Sequence, residues 1–414
     1  TECKEQLTIG YNDNTVTSFG SFSFINSTIP EITITGNFNA IPAGMFYNCK
    51  ELKEIKLPSS ISDIGSYAFS GTVLTSVAFD GSGKYSAVDS QIISGGDTIV
   101  YAFGQEEVTQ LKVNKNVAVG AFENNKVIRK VIIEEGATIN DAAFHASSVT
   151  DVVFKGKISG KQIFSNCKNL KSVTIEGTTK IIPEATFSGC SSLTTITIPE
   201  NVETIGRSAF AYCENLQEIT LPTSVKYIEE DAFRGCTRLN KINIGELVNL
   251  EVIGSRAFYQ SGVENVTIPS SVTKIEGYAF YQAKIKTVKI PSGVKKLVGV
   301  FAKCKQLGSV ELSDGLETIG ASAFMGCPLD SLVIPATVNR IGFNAFKNCD
   351  SLKDVVYQGD NLEECGEGAF MNDTIDHVTV QEGYKNETFC GQKIVVDDGA
   401  IGALMMFVLA LMLL

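Results

Sequence analysis

Two kinds of segment alternate along this chain. The first alternates apolar and polar residues with period two, as in Leu193-Thr194-Thr195-Ile196-Thr197-Ile198-Pro199. That period puts Ile196 and Ile198 on one face of a short strand and Thr195 and Thr197 on the other. Pro199 closes the strand, because it has no N–H to give the ladder. Residues 216–222, 263–269, 285–291 and 329–335 repeat the phrase. The second kind of segment carries Ile-Gly and then Ala-Phe, as in Ile205-Gly206 before Ala209-Phe210 and Ile319-Gly320 before Ala323-Phe324.

The Phe of that second segment sets the period. It stands at Phe46, Phe69, Phe122, Phe144, Phe164, Phe187, Phe210, Phe233, Phe258, Phe280, Phe301, Phe324, Phe346 and Phe370. Successive steps are 20 to 25 residues, apart from 53 between Phe69 and Phe122. A repeat of about 23 residues cannot bury its apolar side alone, so such repeats stack, each on its neighbours. The pattern predicts an α/β fold: a leucine-rich-repeat solenoid with one short parallel β-strand and one short helix or 3₁₀ turn per repeat. A parallel sheet needs cover on its inner face. Here the returning Ala-Phe half supplies it, with the Phe side chains stacked as a spine.

This register divides the chain into a cap at 1–28, the repeat array at 29–380, a C-terminal cap and stalk at 381–398, and an apolar segment at 399–414. The long step holds an insertion at 80–113. Within it the runs Ser86 to Ile93 and Thr98 to Phe103 flank Ser94-Gly95-Gly96-Asp97, which is a hairpin signal. The insertion reads either as a hairpin riding on one repeat or as a projection that meets a partner.

The phrase from Leu193 to Cys213, followed at once by a second copy, resembles the BspA-like leucine-rich repeats, also called the Treponema pallidum type. The resemblance runs from about Ile29 to Val380. It implies a cell-surface or secreted protein of the kind found in mucosal bacteria and protist parasites. It also implies adhesion to host cells, matrix proteins or other cells. The family carries no catalytic motif, so the resemblance transfers no active-site residue.

Composition narrows the function. Hydrophobic residues are 44% of the chain, enough for a continuous core. The net charge of −11 argues against nucleic-acid binding, which begins from a basic footprint. His145 and His377 are the only histidines, they lie far apart in the repeat order, and neither has a Cys or carboxylate at ligand spacing. Each reads as a surface residue, and nucleophilic catalysis would lack its base. The pairs Glu106-Glu107, Glu134-Glu135, Glu229-Glu230 and Glu363-Glu364 fall at repeat edges and read as solvated, not as a catalytic pair. No enzymatic activity, cofactor, metal or small-molecule substrate is expected.

Eight of the eleven Cys stand three residues after the repeat Phe: Cys49, Cys167, Cys190, Cys213, Cys236, Cys304, Cys327 and Cys349. Other copies place Thr72, Asn125, Ser147, Ser261 or Ala283 there, so the slot takes a small side chain and needs no bridge. Cys365 and Cys390 lie outside this ladder and are candidates for a disulfide that staples the C-terminal cap. Sequons occur at Asn26, Asn265, Asn372 and Asn386. Asn265 falls at an outward strand position, where a glycan would obstruct the sheet.

Residues 399–414 carry no charge and follow Asp397-Asp398. Small residues before a terminal apolar run have the form of a lipid-anchor signal, with Asp397, Asp398 and Gly399 as candidate attachment residues. A retained hydrophobic anchor is the alternative, although a spanning helix wants about 20 apolar residues.

These readings converge on a cell-surface binding or adhesion protein, tethered at its C-terminus or else secreted. Its expected contact face is the outward strand positions Glu54, Lys56, Thr195, Thr197, Glu218, Thr220, Lys241, Asn243, Thr287, Lys289, Ser309 and Glu311. The expected partners are extracellular or cell-surface proteins, with the membrane reached only through the C-terminus. No residue of this face is aromatic, so affinity is expected to be modest and spread along it. The rival reading is a structural surface coat with no specific ligand.

Overall fold

The computed structural model describes residues 6–10, 18–88, 91–102 and 110–397. The chain falls into two compact units, residues 1–202 with 209–216 and residues 203–208 with 217–414.

In the first unit the period-two segments pair in parallel and in order. Leu7–Ile9, Glu31–Ile34, Glu54–Leu57 and Ser76–Phe79 form one run. Gln110–Val113, Lys130–Ile133, Asp151–Phe154, Ser172–Ile175 and Thr195–Thr197 form another. Alternation does what period two requires: Val131, Ile133, Val152 and Phe154 are buried while their neighbours face out. The repeat geometry reaches into residues 1–28, where Phe24 stacks on Phe46 at 5.6 Å.

In the second unit Glu218–Ile219 pairs with Lys241–Ile242. Asn265–Thr267, Thr287–Ile290 and Ser309–Leu312 form a second run. Ser331–Ile334, Asp354–Tyr357, His377–Val380 and Ile394–Val396 form a third. A further two-residue strand sits at the Ile-Gly phrase. Thr204–Ile205, Tyr227–Ile228, Val252–Ile253 and Lys274–Ile275 pair in parallel, as do Lys296–Leu297, Thr318–Ile319, Arg340–Ile341 and Glu364–Cys365.

The Ala-Phe half is not a helix. Among the described residues the one helical segment is the 3₁₀ turn Ile244–Glu246. The expected helix or 3₁₀ turn per repeat, and the α/β class with it, therefore give way to an all-β repeat closed by a turn. The reason lies two residues to either side of each spine Phe, where the backbone is left-handed. Tyr278 (φ 61°) and Gln282 (φ 56°) bracket Phe280, and Ala185 (φ 51°) and Gly189 (φ 73°) bracket Phe187. A helix needs an unbroken right-handed run, and a left-handed residue other than Gly costs about 1–2 kcal/mol. In exchange, alternate N–H groups of the turn point at the next repeat. Phe258 N donates to Ala279 O at 2.7 Å and Gln260 N donates to Tyr281 O at 2.8 Å. The peptide groups are satisfied between repeats instead of within a helix.

The core is the Phe spine. In the first unit Phe122, Phe144, Phe164, Phe187 and Phe210 stack with centroids 4.6 to 6.2 Å apart. In the second, Phe233, Phe258, Phe280, Phe301, Phe324, Phe346 and Phe370 stack at 4.9 to 5.5 Å.

The insertion differs from its expected form. The run Ser86 to Ile93 is two antiparallel strands, Tyr85–Val88 and Gln91–Ser94, and the second of these pairs with Thr98–Ala102 across Gly95-Gly96. Thr98 and Ile99 then pair in parallel with Asn116 and Val117. Tyr101 lies against Phe69 at 5.4 Å, in the place of a spine Phe. Its strand is thus built into the repeat core. Phe103 lies outside the described residues.

The Ile-Gly pair has a steric cause. A Cβ on Gly342 would lie 2.5 Å from Ala321 N and 2.7 Å from Gly320 C, in the preceding repeat. Gly342→Ala is therefore expected to cost about 1–3 kcal/mol, the usual range for overpacking. Denaturant unfolding reads that loss, and an unchanged midpoint would contradict so close an approach.

Candidate functional site

The outward strand positions form the candidate contact face in each unit. In the first unit Glu54, Lys56, Thr195 and Thr197 are exposed. In the second, Glu218, Thr220, Lys241, Thr287, Lys289 and Glu311 are exposed and Ser309 is half-buried. Parallel, in-register pairing sets neighbours in one row about 4.8 Å apart. Opposite charges in a row therefore meet: Lys241 pairs with Glu218 at 3.5 Å, and Lys289 pairs with Glu311. Exposed pairs of this kind contribute on the order of 0–1 kcal/mol. Their main effect is to leave these rows nearly neutral.

Asn243 departs from the expected contact role. Its Oδ1 accepts a hydrogen bond from Leu221 N at 2.8 Å, and its Nδ2 donates to Leu221 O at 2.9 Å. The strand ends at Ile242 and the chain turns into Ile244–Glu246, so the amide takes over the ladder bonds that the backbone gives up.

The residues considered for catalysis are dispersed. His377 is exposed on a strand and stands opposite Asp354 in the register. His145 is a half-buried turn residue whose Nδ1 is buried with no hydrogen-bond partner among the described residues. Among the described residues no group of three His, Cys, Asp or Glu is placed to hold a metal ion. Each acidic pair among the described residues has at least one member on a cation: Glu134 with Lys155 at 3.0 Å, Glu230 with Arg207 and Arg256 at 3.5 Å each, and Glu363 and Glu364 with Arg340 at 3.9 and 3.8 Å. Glu106 and Glu107 lie outside the described residues.

The eight ladder Cys are buried and are not disulfide-bonded. The thiols of Cys49, Cys167, Cys190, Cys213, Cys304, Cys327 and Cys349 cap a Phe carbonyl of the previous repeat. Cys190 Sγ donates to Phe164 O at 3.1 Å, Cys213 Sγ to Phe187 O at 3.2 Å, and Cys304 Sγ to Phe280 O at 3.0 Å. The slot thus favours a small side chain that also carries a donor. Burial pushes the thiols of Cys49, Cys167, Cys190, Cys327 and Cys349 up, Cys167 to about 11, which keeps them neutral and poorly nucleophilic.

In the Phe370 repeat the same slot holds Asp373. Its Oδ1 accepts from Cys349 N at 2.8 Å, while its Oδ2 is buried with no partner among the described residues. Burial raises the carboxyl to about 7, against the opposing pull of the Cys349 N–H and with help from Asp350. The folded value lies above the unfolded one, near 3.9, so the folded chain holds this proton more tightly. The associated stability is full at low pH and is lost as the pH rises through about 7. Asp373→Asn keeps the Oδ1 acceptor and is expected to reduce the fall in melting temperature between about pH 5 and pH 8. An undiminished fall in the variant would place the titration elsewhere.

At the C-terminal end a disulfide joins Cys365 and Cys390, with Cα atoms 5.6 Å apart. Asn26, Asn265, Asn372 and Asn386 are all exposed. Asn265 lies on the outward strand row, and Nδ2 of Asn372, the atom a glycan would take, already donates to Asn348 Oδ1 at 2.9 Å. Asp397 N donates to Val380 O at 2.8 Å. Asp398, Gly399 and the rest of the apolar segment lie outside the described residues. Among those described, no helix is long and apolar enough to cross a membrane.

One cluster was not singled out from the sequence. Tyr259 and Tyr281, each directly after a spine Phe, stack at 4.8 Å on the turn side of the second unit. Aligning the repeats on their Phe would have shown it, since the two occupy the same position in consecutive copies.

A leucine-rich repeat protein from Bacteroides ovatus shares the fold, with 18% identity, a TM-score of 0.54, and 95% of this chain and 92% of that chain covered. A leucine rich cell surface protein from Faecalibacterium prausnitzii matches at 22% identity and a TM-score of 0.43, over 77% of this chain and 96% of its own. A leucine-rich repeat protein from T. pallidum matches at 19% identity and a TM-score of 0.28, over 65% and 86%. None of the curated proteins matches. The family model for the BspA type leucine-rich repeat region matches residues 1–95, 96–160, 157–286 and 273–394. The chain therefore belongs to the BspA-type leucine-rich-repeat family.

Proposed function

We propose that the protein is a surface-displayed binding protein whose outward strand face contacts extracellular or cell-surface proteins. The observation that carries this reading is the regular exposure of polar side chains on a rigid parallel ladder. The inner residues are buried and the peptide groups are bonded between repeats, so the outward rows are free to vary. Family membership supports a binding scaffold in preference to an enzyme. On this reading the chain is held at the cell surface through its C-terminus, by a lipid attached near Asp397, Asp398 or Gly399 or by the retained apolar segment. Asn26 and Asn386 are the sequons least encumbered for glycosylation.

A second reading, a coat with no specific ligand, is favoured by the self-neutralised pairs Lys241–Glu218 and Lys289–Glu311. Capture of matrix and cell-surface proteins on the full chain separates the two. Lys56→Glu and Lys241→Glu are expected to weaken capture about tenfold, as residues near a contact centre do, with melting unchanged. Capture that is absent, or equal in variant and parent, supports the coat. Release from intact cells by a phosphatidylinositol-specific phospholipase tests the lipid anchor. Recovery of full-length chain from the cytosol would overturn the surface assignment.

A further inference from the structure

The second unit carries a cluster of aromatic and cationic side chains on its turn side. Tyr259 and Tyr281 stack at 4.8 Å with 10° between their planes. Arg234 lies over Tyr259 at 5.1 Å and Lys303 lies over Tyr281 at 5.6 Å. Tyr278 meets Tyr281 edge-on at 5.9 Å and is 41% exposed. Next to the tyrosines, Gln260 Nε2 donates to Gln282 Oε1 at 2.8 Å.

Two features set this surface apart from the strand rows. No outward strand position among the predicted contact residues is aromatic, whereas three tyrosines meet here. Lys241 and Lys289 of the strand rows are paired with carboxylates, and Arg234 here pairs with Asp231 at 3.5 Å, whereas Lys303 has no carboxylate partner among the described residues. The uncompensated charge of Lys303, on a chain of net charge −11, selects for an anionic partner.

We propose that this turn surface binds an anionic polysaccharide, a chain of sugar rings bearing carboxylate or sulfate groups. Lys303 meets the anionic groups, and the Tyr hydroxyls, the Tyr278 ring and the Gln amides meet the sugars. Tyrosine hydroxyls and amides both donate and accept, which suits a polymer covered in hydroxyls. An acidic peptide would meet the same cation, and the poly-glutamate arm of the test tells the two apart. Tyr259 and Tyr281 occupy the same place in two consecutive repeats, 4.8 Å apart, so the two repeats present the same groups to one polymer. Each contact is weak, and the repetition supplies the avidity. This inference does not rest on the strand face being a protein-binding surface.

The test is binding of the full-length protein to immobilised heparin, polygalacturonate, neutral dextran and poly-glutamate. The proposal expects retention on heparin, polygalacturonate or both, weakened by salt, and none on dextran. Comparison of the first two tells sulfate from carboxylate. Lys303→Gln and Tyr278→Asn are each expected to lower affinity about tenfold with melting unchanged; Asn suits the left-handed backbone at 278 (φ 61°). Lys241→Glu, on the strand face, is expected to leave this binding as it was. Four results would overturn the proposal: no retention on either anionic polysaccharide, equal retention on dextran, equal or tighter binding to poly-glutamate, or variants that bind like the parent.

Discussion

Replacing Phe258 with Ala is expected to cost about 3–5 kcal/mol of unfolding free energy, the usual range for deleting a buried aromatic ring. Phe258 has no exposed surface and lies between Phe233 at 5.3 Å and Phe280 at 5.1 Å. The void cannot close by sliding, because the turn is bonded on both sides. Phe233 N donates to Ala257 O at 2.8 Å, and Phe258 N donates to Ala279 O at 2.7 Å. Each repeat is held by its neighbours only, so a weak rung also breaks cooperativity between the repeats on either side. Denaturant unfolding should show an earlier and broader transition. A loss under about 1 kcal/mol, typical of ordinary positions, would mean that the spine does not carry the core.

The second large effect is expected at the C-terminal cap. The Cys365–Cys390 disulfide spans 25 residues. Closing a loop of that length stabilises by about 3.5 kcal/mol in the chain-entropy account. The residues it encloses include Phe370, and Phe389 rests on Tyr357 at 5.0 Å and on Phe370 at 6.1 Å. The bridge therefore holds the cover over the end of the spine. Cys390→Ser, or mild reduction, is expected to open residues 381–397 to protease while the repeats before Phe346 stay protected. Identical digestion with and without reductant would show that packing alone holds the cap.

The parts of this fold that the sequence made legible are those written in side-chain period. Leu193 to Pro199 carries its strand in the alternation of Ile and Thr, and the Phe spacing carries the stacking register. The turn was misread because Ala-Phe phrases contain good helix formers, while the feature that forbids a helix is a backbone angle. A trace of it was present: Asn48, Gly71, Asn124, Asn166, Gly189, Gly235, Gly326 and Asn348 all stand two residues after a spine residue, and all are left-handed. Asn and Gly are the residues that tolerate this conformation best. Positions such as Ala185 and Lys303 adopt it with no such hint, held by the bonds of adjacent rungs.

The candidate face was legible as positions but not as interactions. Glu218 and Lys241 sit 23 residues apart in the sequence, and only the in-register pairing brings their charges to 3.5 Å. Asn243 looked like a surface amide because nothing in the alternation shows that its strand has already ended. Asp373 occupies the thiol slot, but the slot was read for size, and the acceptor needed by Cys349 N appears only once the rungs are stacked.

The fold requires a ladder whose inward slots are closed and whose thiols form no disulfide, and alkylation followed by peptide mass analysis tests that directly. In native protein the peptides holding Cys49, Cys167, Cys190, Cys213, Cys236, Cys304, Cys327 and Cys349 are predicted to stay unlabelled. In denaturant without reductant all eight should label, and Cys365 and Cys390 should label only once reductant is added. Rapid labelling of the ladder thiols in native protein, or their failure to label in denaturant until reduced, would contradict the stacked register from which the rest follows.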